Sequence, residues 1–206
     1  MAKFKIGYID ESNEDVRAFQ RYASHIFEVI PFKPVPEIDK LVKDILDNHV
    51  EALVVDFDLN EHDNTIHYNG INVVELILNK LESFPVFVLT SYATDAEENG
   101  YDVNIVYEKN LMYNKEPKFL QRIKTQIEKY KHKIEDAENR ILELLGKSNK
   151  EELTYNEEME LADLNLFIEK TLNKETAKGF KPTNEKRIFE ILTKVDNIIK
   201  KIDENE

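Results

Sequence analysis

EALVVDFD, residues 51–58, is the stretch that decides the fold. Ala52, Leu53, Val54 and Val55 run without a polar break, and Asp56 and Asp58 close the run. A strand with no polar face is covered on both sides, as in a parallel sheet wrapped by helices. The charged end of such a strand faces the sheet edge where open α/β folds place their ligand sites.

Three further apolar runs end in polar groups in the same way. KFKIGYIDE (3–11) ends in Asp10 and Glu11, PVFVLTS (85–91) in Thr90 and Ser91, and VNIVYEK (103–109) in Lys109. Amphipathic stretches separate them. A helix is predicted over 13–27, with Val16, Phe19, Gln20, Ala23 and Ile26 near one face, and a short second strand over 27–31. Helical spacing of Ile38, Leu41, Val42, Ile45 and Leu46 predicts a helix over 37–48. A polar stretch, NEHDNTIHYNG (60–70), precedes an apolar helix over 71–81. The remaining strands fall at 86–90 and 104–108, and the polar connection at 91–102 leaves room only for a brief helix. This alternation predicts βαβ units and a parallel sheet. The carboxyl ends then gather several carboxylates, a hydroxyl pair and one ammonium.

From residue 116 the pattern turns purely helical. Phe119, Leu120, Ile123, Ile127, Tyr130, Ile134, Ala137, Ile141, Leu144 and Leu145 predict one long helix over 119–145, stopped by Gly146. Thr154 and Glu157 form a capping-box pattern. They open a helix to about residue 173 with Met159, Leu161, Leu164, Ile168 and Leu172 inward. Gly179 and Pro182 end it, and Thr183 or Asn184 starts a last helix whose isoleucines at 188, 191, 198, 199 and 202 form a broad apolar stripe. Such a stripe needs a cover: the long helix, a second copy or a partner protein.

The bulk properties exclude several classes. The 206 residues carry a net charge of −13. Residues 1–115 hold 10 Lys and Arg against 21 Asp and Glu, and residues 116–206 hold 18 against 20. A chain of this charge lacks the broad cationic field of non-specific nucleic-acid binders. No cysteine is present, so disulfides and thiolate metal sites are excluded. No apolar run approaches the ~20 residues of a spanning helix, and no secretory pattern opens the sequence. A cytoplasmic location is the expectation.

The ordered set of Asp10-Glu11, Asp56, Thr90-Ser91 and Lys109 resembles the receiver domain of two-component response regulators, over the first 115 to 130 residues. The resemblance implies a flavodoxin-like, doubly wound, five-stranded parallel α/β sheet in residues 1–128, followed by an all-α domain in 129–206. It implies that Asp56 accepts a phosphoryl group, and that Asp10, Glu11 and Asp56 hold Mg2+ with the backbone carbonyl of Asp58. Thr90 and Lys109 would bind the phosphoryl oxygens, and Thr90 with Tyr107 would form the switch. The chemistry is coherent: crowded carboxylates need a cation, hard oxygens suit Mg2+, and an aspartate nucleophile forms an acyl phosphate.

Three departures from the family pattern stand out. Asn110 follows the lysine where proline is usual, the 60–69 loop is long, and the span from Thr90 to Lys109 is short. His62 and His67, with Glu61 and Asp63, read as a solvated loop rather than a second metal site. The expected function is a stoichiometric phosphoacceptor, not a turnover enzyme. Its donor would be a sensor histidine kinase or a small phosphodonor, and its helical output would bind a protein target or a second copy. A DNA-binding transcription regulator is the alternative, with an aspartate-nucleophile phosphatase behind it. Nucleic acid and membrane are not expected partners.

Overall fold

The structure is a computed structural model, and it describes residues 3–61, 63–91 and 105–171. The chain divides into two compact units, Met1–Tyr130 and Lys131–Glu206.

The first unit is built on five strands, β1 Phe4–Ile9, β2 Phe27–Phe32, β3 Ala52–Asp56, β4 Val86–Thr90 and β5 Val106–Glu108. Every pairing is parallel and the order is β2-β1-β3-β4-β5. That is the doubly wound, flavodoxin-like order, which reverses direction between β1 and β3. Register brings the strand ends level: Ile9 lies beside Val55, Asp56 beside Leu89, and Thr90 beside Glu108. The polar residues that end these runs are therefore neighbours along one edge.

The central strand explains the core. Ala52 and Val54 face a cluster with Phe19, Phe119, Leu120 and Ile123. Leu53 and Val55 face the opposite cluster, with Leu41, Val42, Ile45, Val73 and Ile77. Burying each such side chain contributes about 1.5–3 kcal/mol, so neither face tolerates a polar residue. The helices supplying these side chains are α1 Asn13–Ala23, α2 Ile38–Asp47, α3 Gly70–Lys80 and the start of α5 Pro117–Ser148. A single turn, α4 Asn110–Tyr113, separates β5 from α5.

The structure moves several predicted boundaries. Helix α1 ends at Ala23 rather than residue 27: Ser24 N–H makes the last helical bond, to the Gln20 carbonyl at 2.9 Å, then Ile26 N–H turns to the Ala23 carbonyl at 3.0 Å and Phe27 pairs with Phe4 in the sheet. Helix α3 begins at Gly70, capped reciprocally by Asn69 and Asn72 at 3.1 and 3.0 Å. A Cβ on Gly70 would sit 2.2 Å from the Asp56 carbonyl oxygen, so only glycine lets this helix approach the end of β3.

In the second unit, the rest of α5 pairs with α6 Tyr155–Thr171. Gly146 does not stop α5, which continues to Ser148. The helix keeps its course there because Lys147 is held by Glu157 at 2.7 Å and the Ser148 hydroxyl donates to the Leu145 carbonyl at 2.9 Å. Lys147 meets Glu157, Arg140 meets Glu160, and Lys133 lies over the Phe167 ring. As one partner steps back the other steps forward, so the two helices are antiparallel.

Ala137, Ile141, Leu144, Leu145, Leu161 and Ile168 fill the seam between the two helices. The Thr154 N–H donates to Glu157 Oε2 at 2.9 Å, one half of the capping pattern, while the Thr154 hydroxyl donates to the same carboxylate oxygen at 2.9 Å instead of accepting from the Glu157 N–H. Met159 is exposed rather than inward. Leu172, the last predicted helix, His62 and any helix within 92–104 lie outside the described residues. Among the described residues, no helix is long and apolar enough to cross a membrane.

Candidate functional site

The β1 end fixes the first carboxylate. Alternation places Tyr8 and Asp10 on the same side of the chain, and the Tyr8 hydroxyl donates to Asp10 Oδ2 at 2.7 Å. Ser12 N–H donates to Asp10 Oδ1 at 2.8 Å. Asp10 is fully buried, at 0% exposure. A buried carboxylate survives only when its oxygens are hydrogen-bonded or paired. Ser12 then turns its side chain to cap α1 by accepting from Asp15 N–H at 3.3 Å. That cap sets Asp15 in the first turn of the helix, near the sheet edge.

Lys109 supplies the cation. Its Nζ lies 2.9 Å from Asp56 Oδ1, 3.0 Å from Asp10 Oδ2 and 2.7 Å from Asp15 Oδ2. An ammonium has three donors and no acceptor, so each of these carboxylates takes one N–H. The Lys109 backbone N–H donates to the Thr90 carbonyl at 2.7 Å, tying the end of β5 to the end of β4. Tyr113, in the turn α4, donates a short hydrogen bond to Asp15 Oδ1. Asp15 is thus gripped by Lys109 on one oxygen and by Tyr113 on the other.

Electrostatics follow from burial and crowding. Burial drives the Asp56 carboxyl up, Lys109 pulls it back, and Asp10 and Asp58 push it further, to about 7. Burial alone would lower Lys109, but Asp56, Asp15 and Asp10 outweigh it and hold the ammonium protonated above its usual range. Burial also works to raise Asp15, and the hydrogen bonds from Lys109 and Tyr113 reverse this and keep it below the usual range. The Tyr113 hydroxyl is pushed up to about 12 by burial and by Asp15.

The structure thus brings Asp10, Asp56 and Lys109 together, with Thr90 buried beside them at 2% exposure. Asp58 is half-buried and close enough for its charge to act on Asp56. Glu11 is half-buried in the bend after β1, and its backbone carbonyl accepts from Lys33 Nζ at 2.7 Å. Tyr107 lies on β5 two residues before Lys109. Its ring packs against Phe87 and Phe119, and Arg122 both donates to its hydroxyl at 3.2 Å and lies over its ring.

Sequence reading missed Tyr8, Asp15, Lys33 and Tyr113. Tyr8 was open to detection from the period of two that it shares with Asp10. Asp15 looks like an ordinary first-turn acid, and Tyr113 lies in a turn too short for periodicity to reveal.

The Mg2+ implied for Asp10, Glu11, Asp56 and Asp58 meets an obstacle in this geometry. The oxygen donors are of the right chemistry, but the Lys109 ammonium stands among them. Among the described residues, no three His, Asp or Glu side chains are placed to hold a metal ion. As arranged, these residues do not form a divalent-cation site.

No family model matches the chain, and neither does any curated protein. Solved structures give likenesses at low identity. The chain is similar to the RcsB response regulator of Salmonella typhimurium, described for its conformational dynamism in DNA interaction, at 14% identity, over 82% of this chain and 93% of that one, with a TM-score of 0.45. It is similar to the signal receiver domain of a putative LuxO repressor protein from Vibrio parahaemolyticus at 13% identity, over 60% and 95%, with a TM-score of 0.40. A response regulator RcsB–DNA complex gives 13% identity over 83% and 92%, with a TM-score of 0.42. Strand order and register define the fold independently of these likenesses.

Proposed function

We propose that this chain is a response-regulator-type phosphoacceptor, with Asp56 as the residue that takes the phosphoryl group. One observation carries the reading: the Asp56 carboxylate ends β3 at the ligand-binding edge with Lys109 Nζ 2.9 Å from Oδ1. An Asp56 oxygen attacks phosphorus, the bond from phosphorus to the donor's oxygen or nitrogen breaks, and acetate or a kinase histidine leaves with that electron pair. The product is an aspartyl phosphate. Lys109 stabilises the charge on the phosphoryl oxygens, and preorganised cations of this kind are the main resource of phosphoryl transfer.

Ionised Asp56 is the nucleophile, so its raised pKa of about 7 makes labelling rise with pH through neutrality. Acetyl phosphate serves as a small donor, and a sensor histidine kinase as the macromolecular one. The new charge, about −1.5 to −2, attracts Lys109 and the Thr90 hydroxyl. Each charge-assisted bond contributes ~1.5–3 kcal/mol, and turning a 1:99 population into 99:1 needs about 5.5 kcal/mol. Thr90 and Tyr107 are the residues through which this change spreads. The helical unit is the output, binding a protein or a second copy.

Incubation with acetyl phosphate tests the reading by intact mass. The expected result is one base-labile phosphoryl group per chain, absent in Asp56→Ala. Steady hydrolysis of a phosphomonoester with no labelled chain would replace this reading with a hydrolase.

A further inference from the structure

Helix α6 is apolar on two sides. Leu161, Leu164 and Ile168 pack into the seam with α5. On the other side Tyr155, Met159, Ala162 and Leu166 step by four, three and four residues, and all are exposed, the three large ones at 74%, 50% and 49%. That spacing is the seam of a further helix pair, and a row of large apolar side chains in water marks a docking face. Along one flank of the row lie Glu158 and Asn165, seven residues apart and so on one line of the helix. Asn165 is buried and its Nδ2 donates to the Leu161 carbonyl at 2.8 Å. Its Oδ1 has no hydrogen-bond partner among the described residues. An amide oxygen only accepts, and leaving it buried and unpaired is costly. A helix that docks here must bring a donor.

We propose that residues 184–203 of this chain dock on the row as an antiparallel helix, with Lys194 donating to Asn165 Oδ1. Their sequence predicts a helix, and Ile202, Ile198, Val195 and Ile191 descend by the same four, three and four residues. The layers are then Tyr155 with Ile202, Met159 with Ile198, Ala162 with Val195 and Leu166 with Ile191. In this register Lys201 falls beside Glu158 and Lys194 beside Asn165, because the flanking positions of an antiparallel pair face each other. The 11 residues from 172 to 182, at up to ~3.3 Å each, are ample to turn the chain back along α6. The segment starts beside the end of α6, which makes the pair antiparallel.

Other occupants and registers fail on the flank. Sliding the segment by three residues keeps the layers apolar but sets Ile191 and Ile198 beside Asn165 and Glu158, and isoleucine brings no donor. Sliding it by a full heptad keeps a basic flank but puts Leu166 against Asn184 and leaves Ile198 and Ile202 beyond the row. A second copy of α6, paired antiparallel, would set the Glu158 carboxylate against Asn165 Oδ1, acceptor against acceptor. A protein that uses this face has to displace the segment first.

The test uses the full chain, which has no cysteine of its own. Ala162→Cys/Val195→Cys is oxidised with oxidised glutathione, beside Ala162→Cys/Leu192→Cys and Ala162→Cys/Ile188→Cys, the pairs that the two shifted registers favour. The 162–195 pair is expected to close within one chain at least about tenfold faster than either control, since a disulfide needs Cβ atoms only ~3.5–4.5 Å apart. Preferred closure at 188 or 192, a link between two chains through position 162, or no closure overturns the docking. Amide exchange over 188–202 tests the donor. Lys194→Met is expected to speed it by about tenfold, the scale of one charge-assisted bond, and Lys200→Met, on the outer side of the docked helix, by less than about twofold. Equal exchange in the two variants overturns the bond from Lys194 to Asn165.

Discussion

Lys109 and Arg140 each bind more than one carboxylate. Lys109 takes Asp10, Asp15 and Asp56 at the edge of the sheet, and Arg140 takes Glu143 and Glu160 in the helical unit. The distances are alike, from 2.7 to 3.1 Å. Their surroundings are not. Side-chain exposure at the first set is 1–15%, against 41–68% at the second. Charges withheld from water depend on one another, and removing one leaves its partners with a desolvation cost that water no longer offsets. Exposed pairs trade contacts with solvent at little net gain and are screened by salt. Similar contacts therefore build a reactive edge in one unit and decorate a helix seam in the other.

The largest break in this contrast is Lys109→Met. Leaving buried carboxylates unpaired is expected to destabilise the first unit by about 3–5 kcal/mol, read from the urea midpoint. The loss is expected to shrink on acidification, starting above pH 7, because Lys109 is what pulls the buried Asp56 carboxyl down to about 7 and without it Asp56 takes up its proton earlier.

Next comes Gly70→Ala, which tests whether the edge is set by backbone packing as well as charge. A Cβ 2.2 Å from the Asp56 carbonyl oxygen must push α3 or β3 away. The expected cost is about 1–3 kcal/mol, with slower labelling of Asp56.

Asp56→Asn sharpens the contrast from the opposite side. The folded carboxyl, at about 7, stands above its ordinary 3.8, so between these values the folded chain holds a proton that the unfolded chain has released. Stability contributed by Asp56 therefore falls as pH rises across that window. The asparagine variant is expected to be more stable than the wild type by about 1–2 kcal/mol near pH 8, and no different below about pH 4. Thermal melts at both pH values decide it.

The smallest effect belongs to Arg140→Ala. Its melting temperature is expected to match the wild type at high salt, with any difference confined to low ionic strength. A large salt-independent loss would erase the distinction between the two ion-pair sets.

Much of the edge was legible before any coordinates. The unbroken apolar run at 52–55 has only one comfortable place, the middle of a covered parallel sheet, and it fixes where Asp56 emerges. Asp10, Thr90 and Lys109 follow because each closes a run of the same kind. What stayed hidden was tertiary. Nothing local marks Asp15 as a partner for a lysine 94 positions later, and Tyr113 joins it only because a four-residue turn brings the chain back toward α1. Gly146 misled for a related reason. Glycine ends a helix when the chain must turn in a left-handed conformation, and here Lys147, paired across the seam with Glu157, keeps the helix going. The helix after the polar stretch was placed within one residue of its start at Gly70, and only its reciprocal Asn69–Asn72 cap went unread, since it does not match the usual serine or threonine pattern.

The most direct test of Asp56 as phosphoacceptor is chemical trapping. The chain is labelled with acetyl phosphate, reduced with borohydride and sequenced by peptide mass. The account predicts homoserine at position 56 and unmodified aspartate at 10, 15 and 58. Homoserine at any of those three with Asp56 intact, or none in a chain shown to be folded, would contradict it.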